Sequence, residues 1–169
     1  MGIGMPRRVL CVRLRQAYSH GENDMDQING ACLCGAVRYN FVAEPIATRI
    51  CWCRDCQHIA SNGTVNVVVP TSALEVLGQL NEHTTTADSG NQVRRRFCPQ
   101  CGSHLFANSS ARLQFTVVRA GTLDDPSSIQ PTMNIWAGSA PSWACLSPEL
   151  ERVEQQPVQP QQAQNSSQT

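Results

Sequence analysis

The fold of this chain is decided by the stretch Cys98-Pro99-Gln100-Cys101-Gly102, together with Cys32-Leu33-Cys34. Two residues between Cys98 and Cys101 let a tight turn present both thiolates to one metal ion, and Gly102 can take the positive φ that such turns often need. Cys32 and Cys34 are the natural other half of a four-cysteine zinc site, which would join two distant parts of the chain. The alternatives are two ordinary buried cysteines at 32 and 34, and a redox dithiol at 98 and 101, which the β context disfavours.

Three more cysteines, Cys51, Cys53 and Cys56, form a second cluster that is one ligand short of a tetrahedral site. Three thiolates around Zn²⁺ leave a fourth position for water or an exogenous thiol, so this spacing predicts an open, reactive zinc. His58 is the alternative fourth ligand and would make the site purely structural. We therefore predict up to two zinc ions per chain. The other cysteines and histidines are not expected to be ligands: Cys11, Cys145, His20, His83 and His104.

Composition excludes several classes of function. Among 169 residues the formal net charge is zero and aromatic residues make up 5%, which does not favour a nucleic-acid binder. All 13 basic residues are arginine, so a lysine Schiff base is excluded. No stretch approaches the roughly 20 apolar residues of a membrane span. The N-terminus does not resemble a secretory signal, so we expect a reducing, cytoplasmic location, where clustered cysteines favour metal over disulfides.

The domain pattern has three parts. Residues 1–26 are expected to be a disordered leader or a misassigned start, 27–148 a zinc-binding domain, and 149–169 a Gln-rich disordered tail. The domain is predicted to be all-β, with one short helix over 54–60. Residues 31–41 alternate as one strand, which would place Cys32 and Cys34 on the same face. Further strands are predicted over 64–69, 74–77, 82–86, 93–97, 104–107, 113–118 and 129–136.

Three consecutive arginines, at positions 94–96, directly precede Phe97 and Cys98. On a strand, Arg94 and Arg96 share a face and Arg95 points away. The first interpretation is a solvated edge strand whose charges oppose self-association. The second is a face that meets an anionic substrate, since arginine binds carboxylates bidentately.

These motifs, in this order, resemble the glutathione-dependent formaldehyde-activating enzyme family, which is shared with centromere protein V. The resemblance covers about Gly30 to Pro148 and is carried by four stretches: GACLCGAVRY at 30–39, CWCRDC at 51–56, RFCPQCGSHLF at 96–106 and GTLDDP at 121–126. It implies an Mss4-like fold of coiled antiparallel sheets, with a structural zinc on Cys32, Cys34, Cys98 and Cys101. It also implies a second zinc on Cys51, Cys53 and Cys56, where a substrate thiol binds, and an activity that joins glutathione to formaldehyde as S-(hydroxymethyl)glutathione.

The chain departs from the family pattern at two positions. Trp52 stands where many members have a histidine between the first two cysteines of the triplet, and Asn134 stands where many have a histidine shortly before Trp136. Neither change removes a ligand, but both alter the surroundings of the second zinc. The leading hypothesis is a zinc-dependent carbon–sulfur lyase or synthase that acts on a glutathione-like thiol and a small aldehyde. The alternatives are a module that binds glutathione or its adduct without catalysis, and a zinc-stabilised interaction domain.

Overall fold

The structure, a computed structural model, describes residues 27–157. The expected leader at 1–26 and residues 158–169 of the expected tail lie outside the described residues. The described part is mostly β, as predicted, with one α-helix, α1 at Arg54–Ala60, and four short 3₁₀ helices. The strands are β1 Ile28–Ala31, β2 Arg38–Phe41, β3 Ala47–Cys51, β4 Thr64–Pro70, β5 Leu74–Leu77, β6 Asn81–Thr86, β7 Gln92–Phe97, β8 His104–Ser109, β9 Phe115–Arg119, β10 Met133–Ile135 and β11 Glu151–Val153.

The strands form two sheets. The smaller has the order β1-β2-β5, and the larger has the order β11-β10-β3-β4-β9-β8-β7-β6. Most neighbours are antiparallel, as expected, but β10 runs parallel to both β3 and β11. The large sheet is therefore mixed at one end, which the prediction of purely antiparallel sheets did not include.

The hydrophobic core lies between the two sheets. One buried cluster contains side chains from both sheets. The small sheet and its turn contribute Val37, Tyr39 and Phe41, and strands β4, β8 and β9 contribute Val67, Val69, Leu105, Phe106 and Val118. These β4 and β9 residues alternate with side chains on the opposite face, as a strand buried on one side requires. The opposite face of the large sheet carries the second cysteine cluster.

The prediction of one strand over residues 31–41 is wrong. β1 ends at Ala31 and β2 begins at Arg38, and Cys32 and Cys34 lie in the turn between them. Gly35 has φ +75°, which breaks the period-2 alternation, so Leu33 is 89% exposed instead of facing the core. The two sulfurs are therefore brought together by the turn between β1 and β2 and not by a shared strand face.

The other strand predictions are confirmed in position: the one over 74–77 has the bounds of β5, and the others differ at one or both ends. The main exception is 129–136, of which only Met133–Ile135 is a strand, because Pro131 has no N–H to donate to a neighbouring strand and interrupts the run. Strand β3 was not predicted. The proposed boundary at 149 also leaves out β11, which pairs with β10, so the sheet extends to Val153 within the expected tail.

The arginine run lies in β7, between β6 and β8, so it is not on an edge strand. Arg95 forms an ion pair with Asp55 of α1 at 2.6 Å. Arg96 donates to Asn108 and lies over the Phe106 ring, 5.0 Å from its centroid. Arg94 forms a surface ion pair with Glu82 at 3.7 Å. Each of the three arginines is thus engaged within the chain. In residues 27–157, no helix combines the length and the apolar character needed to traverse a bilayer.

Candidate functional site

The first cysteine cluster joins two turns that are far apart in sequence. The sulfurs of Cys32, Cys34, Cys98 and Cys101 all lie within 4.8 Å of one another. Cys34 Sγ lies 3.5 Å from Cys32 Sγ and 3.7 Å from Cys98 Sγ. Metal–sulfur bonds of about 2.3 Å in a tetrahedron place the sulfurs about 3.8 Å apart, so the four donors fit one four-coordinate metal ion.

Each of the two turns is closed by its own backbone. The Gly35 N–H donates to the Cys32 carbonyl at 3.0 Å, and the Gly102 N–H donates to the Cys98 carbonyl at 2.9 Å. Both glycines have positive φ, 75° and 73°, so the conformation expected of Gly102 is confirmed. The Val37 N–H also donates to Cys32 Sγ at 3.2 Å. Backbone donors aimed at sulfur are suited to a thiolate, because they offset its negative charge.

The second cluster gathers Cys51, Cys53 and Cys56, whose sulfurs also lie within 4.8 Å of one another. Cys51 ends β3, Cys53 lies at the N-cap of α1, and Cys56 lies in the first half of that helix. Cys51 and Cys56 are buried and Cys53 is partly exposed, so the cluster is accessible from one side. Three sulfurs in this arrangement could hold a metal ion and leave one coordination position for another ligand.

His58 is not part of this cluster. Its side chain is exposed on α1, and it is absent from the groups of potential ligands found in the described residues. His83 is exposed on β6 and Cys145 is exposed near the end of the domain, and neither belongs to a group of potential ligands in the described residues. Cys11 and His20 lie outside the described residues. The structure therefore brings together the seven predicted cysteines in the predicted division of four and three.

The segment that carries the second cluster is fixed by buried polar contacts. Trp52 Nε1 donates to Asn134 Oδ1 of β10 at 3.0 Å, and both residues are buried. Gln57 Nε2 donates to the Trp52 carbonyl at 2.6 Å and to the Ser139 carbonyl at 2.9 Å. Gly63 makes room for the indole, because a Cβ there would lie 2.9 Å from the Trp52 ring. Trp52 and Asn134, the two positions at which the resemblance implies a departure from the family pattern, are thus direct partners.

An arginine that the sequence did not single out contacts this cluster. Arg119, the last residue of β9, places Nη1 3.9 Å from Cys56 Sγ. The same nitrogen donates to Thr64 Oγ1 at 2.9 Å and to Asn66 Oδ1. Arg119 directly follows the strand predicted over 113–118, and no role was predicted for it. An arginine that directly follows a β-branched, buried strand is the sequence signal that would have identified it.

The three thiols of the second cluster differ in acidity. Hydrogen bonds from Cys51 and Cys53 lower the pKa of Cys56 to about 2; burial opposes this effect, and the positive charge of Arg119 adds to it. Hydrogen bonds to Cys53 and Cys56 raise the pKa of Cys51. The first negative charge of the cluster therefore forms on Cys56, the sulfur that Arg119 contacts.

A cleft of about 480 Å³ lies next to the first cysteine cluster and is also lined by residues that contact the second. Cys101 of the first cluster lines it, as do Thr64 and Arg119 beside the second. His104, at the start of β8, also lines this cleft, and its Nδ1 atom is buried without a hydrogen-bond partner in the described residues. Burial lowers the pKa of His104, and the charges of Arg119 and Arg95 lower it further, so its imidazole is neutral near pH 7. The cleft offers a small ligand a neutral imidazole and a cationic wall close to Cys56.

The model of the family described as "Glutathione-dependent formaldehyde-activating enzyme" matches residues 27–139, which is more than half of the chain. The crystal structure of a Rhodobacter sphaeroides protein matches with 20% sequence identity and a TM-score of 0.48, and the match covers 61% of this chain and 91% of that chain. No curated protein matches the chain. With its sheets and its two cysteine clusters, the chain has the Mss4-like fold that was predicted.

Proposed function

This chain belongs to the glutathione-dependent formaldehyde-activating enzyme family, and we propose that it is a zinc-dependent carbon–sulfur lyase or synthase that joins a glutathione-like thiol to formaldehyde. The observation that carries this proposal is the gathering of Cys51, Cys53 and Cys56 within 4.8 Å of one another, with one side of the cluster accessible. A closed site of four protein ligands would leave no position for substrate.

Zinc is the metal we propose for both clusters, because purely thiolate donor sets favour Zn²⁺ among the hard and borderline divalent ions. The site of Cys32, Cys34, Cys98 and Cys101 is then structural and holds the two turns together. At the site of Cys51, Cys53 and Cys56, a bound zinc ion supplies a position where an incoming thiol loses its proton. Up to two zinc ions per chain follow from these ligand sets.

The reaction that we propose is an addition. The thiol sulfur forms a bond to the formaldehyde carbon, the C=O π bond breaks, and the oxygen takes up a proton to give the hydroxymethyl thioether. The thiol proton passes to solvent, so no oxidant or reductant is needed. The chain contributes by holding both reactants together, since formaldehyde is already a strong electrophile. The cleft beside Cys56 has room for the body of the thiol substrate.

The proposed partner is therefore a small-molecule thiol, with glutathione as the first candidate, and no nucleic acid or membrane. We place the protein in the cytoplasm, because clustered free thiols are maintained in a reducing compartment. We propose that the zinc-binding domain predicted over residues 27–148 extends to Val153, because β11 pairs with β10 of its large sheet.

Exchange NMR tests the proposed activity. The rate of exchange between free and glutathione-bound formaldehyde is measured without protein, with zinc-loaded protein and with the Cys53→Ser variant. We expect zinc-loaded wild-type protein to accelerate the exchange and Cys53→Ser to leave the rate as it is without protein. Binding of glutathione without acceleration would support a binding module instead. The absence of both binding and acceleration would support a zinc-stabilised interaction domain.

A further inference from the structure

We propose that Arg119 is the counter-cation of the three-cysteine site, and that its charge supports both metal binding and entry of an anionic thiol; the inference rests on the proposed function. Arg119 is 8% exposed and lies on β9 of the large sheet, with its Nη1 atom 3.9 Å from Cys56 Sγ. It is not a ligand. Its role is to position charge beside the ligands.

The burial of this guanidinium requires an anion. Arginine stays protonated in proteins, and a buried charge without a partner is strongly destabilising. Within residues 27–157 the ion pairs are Arg94–Glu82 and Arg95–Asp55, so Arg119 has no carboxylate partner there. Its polar contacts to Thr64 and Asn66 are neutral. The thiolate of Cys56 is therefore the charge that balances it.

Register places the arginine and the cysteines on one face of the large sheet. Arg119 pairs with Asn66 across β9 and β4, and Cys51 pairs with Thr64 across β4 and β3. Thr64 and Asn66 share a face because they are two residues apart on the same strand. The guanidinium thus lies on the same face of the sheet as the cysteine site. Its Nε atom is buried and without a partner in the described residues, and Arg119 also lines the cleft.

Charge counting shows what this cation changes. Three thiolates and one Zn²⁺ carry one net negative charge, and a bound substrate thiolate adds a second. A fixed positive charge next to the ligands stabilises the deprotonated cluster and offsets part of the repulsion felt by the incoming thiolate. Removing the charge therefore weakens zinc binding at this site and weakens thiol binding further.

The test compares Arg119→Gln and Arg119→Lys in the full chain, with Arg94→Gln as a matched control that removes one charge from an exposed pair. Zinc affinity of the weaker site is measured at pH 7 by competition with a chromogenic chelator, and glutathione affinity is measured by calorimetry on zinc-loaded protein. We expect Arg119→Gln to lose about tenfold or more in zinc affinity, equivalent to about 1.4 kcal/mol. Arg119→Lys should retain most of the affinity, and Arg94→Gln should match wild type.

Unchanged zinc affinity in a folded Arg119→Gln protein would overturn the proposal. If Arg119→Gln does not fold, Asn66→Leu decides the question, because it removes a neutral contact of Arg119 and keeps the positive charge. Zinc affinity near that of wild type supports the proposal, and a loss of tenfold or more contradicts it. The chelator competition involves no glutathione, so a wild-type protein that binds no glutathione contradicts the proposed function and leaves the role of Arg119 to be decided by zinc affinity.

Discussion

Trp52 and Asn134 are 82 residues apart in sequence, and a hydrogen bond of 3.0 Å joins them in the structure. A buried amide needs a partner, and the indole N–H provides one for Asn134 Oδ1. The two positions that the resemblance marked as departures are therefore coupled. The pair fixes the segment between Cys51 and Cys53.

The first prediction concerns this pair. Trp52→Phe removes the indole donor and leaves the buried Asn134 oxygen without its partner, so we expect a loss of about 1–3 kcal/mol in the free energy of unfolding. Urea denaturation of the zinc-loaded protein measures it. Adding Asn134→Leu should recover part of the loss, because both partners are then apolar. Additive losses in the double variant would show that the two side chains are not coupled.

A second prediction at the residue scale concerns alkaline pH. Burial raises the pKa of Tyr39 from 10.0 to about 12, with a smaller contribution from Asp124. The folded state favours the neutral phenol, and in the unfolded state the phenol ionises near pH 10. The stability that Tyr39 contributes is therefore fully present below pH 10 and is lost as the pH rises toward 12. A shift of this size corresponds to about 3 kcal/mol. Thermal unfolding from pH 8 to 12 should show this decline.

Tyr39→Phe is the matched variant, since it keeps the ring that packs edge-on against Phe106 and removes the titrating hydroxyl. We expect Tyr39→Phe to be less stable than wild type near pH 8, because Thr122 Oγ1 loses its partner at 2.7 Å. Its stability should fall less between pH 10 and 12. An equal decline in both proteins would show that other groups cause it.

At the scale of elements, the two cysteine clusters differ in what they connect. The first joins the β1–β2 turn to the β7–β8 turn, whereas the second lies within one stretch from the end of β3 to α1. A metal that joins distant turns constrains much more of the unfolded chain than one that closes a short loop. The first cluster should therefore determine folding, and the second should be nearly independent of it.

Cys98→Ser tests the first half of that statement. A structural zinc contributes roughly 10 kcal/mol or more of apparent binding free energy in small zinc domains, comparable to the whole stability of a typical domain. We expect insoluble or molten protein, judged by near-UV circular dichroism and by elution volume. A Cys98→Ser protein with the wild-type melting temperature would show that this cluster is not structural.

Gly30→Ala tests how the small sheet is closed onto the large one. A Cβ at this position would lie 2.3 Å from the Tyr39 ring and 2.5 Å from the Thr122 carbonyl oxygen. Since one of the two contacts is backbone, the strain cannot be relieved by a rotamer change alone, and we expect a loss of about 1–3 kcal/mol in the free energy of unfolding. Gly90→Ala serves as a second variant, at a turn where a Cβ would meet nothing within 4 Å but where φ is +79°. A smaller loss in Gly30→Ala than in Gly90→Ala would contradict the crowding argument.

Local patterns predicted the elements whose residues decide their own structure. β4 alternates Val65, Val67 and Val69 toward the core, and α1 has the bounds that its composition indicated. The strand over residues 31–41 failed because one positive-φ glycine turns the chain, which side-chain alternation does not reveal. β11 was missed because its three residues owe their structure to pairing with β10.

The candidate site shows the same division. Cysteine spacing predicted the groups of four and three cysteines that the structure brings together, because each short motif places its own sulfurs close to one another. Arg119 lies 63 residues from Cys56 in sequence, and Asn134 meets Trp52 only through the placement of β10 beside β3. Contacts of this kind depend on strand order, and no local pattern encodes strand order.

At the scale of the whole molecule, the account requires two metal ions of unequal affinity. Elemental analysis of gently purified protein should find between one and two zinc ions per chain, and mild chelation should remove one while the protein stays folded. Cys53→Ser should retain the tighter zinc and its circular dichroism spectrum. Purified protein with free thiols and no metal would contradict this expectation. Cooperative loss of both ions with unfolding would show that both sites are structural.

The central claim is that Cys51, Cys53 and Cys56 hold a zinc ion that binds a substrate thiol as thiolate. Titration calorimetry of glutathione into zinc-loaded wild-type protein and Cys53→Ser tests it most directly, when repeated in buffers of different ionisation enthalpy. We predict that wild type binds glutathione with release of a proton, because a thiol must be deprotonated to bind zinc, and that folded Cys53→Ser does not bind. Binding of equal strength in both proteins, or binding to wild type without proton release, would contradict the account.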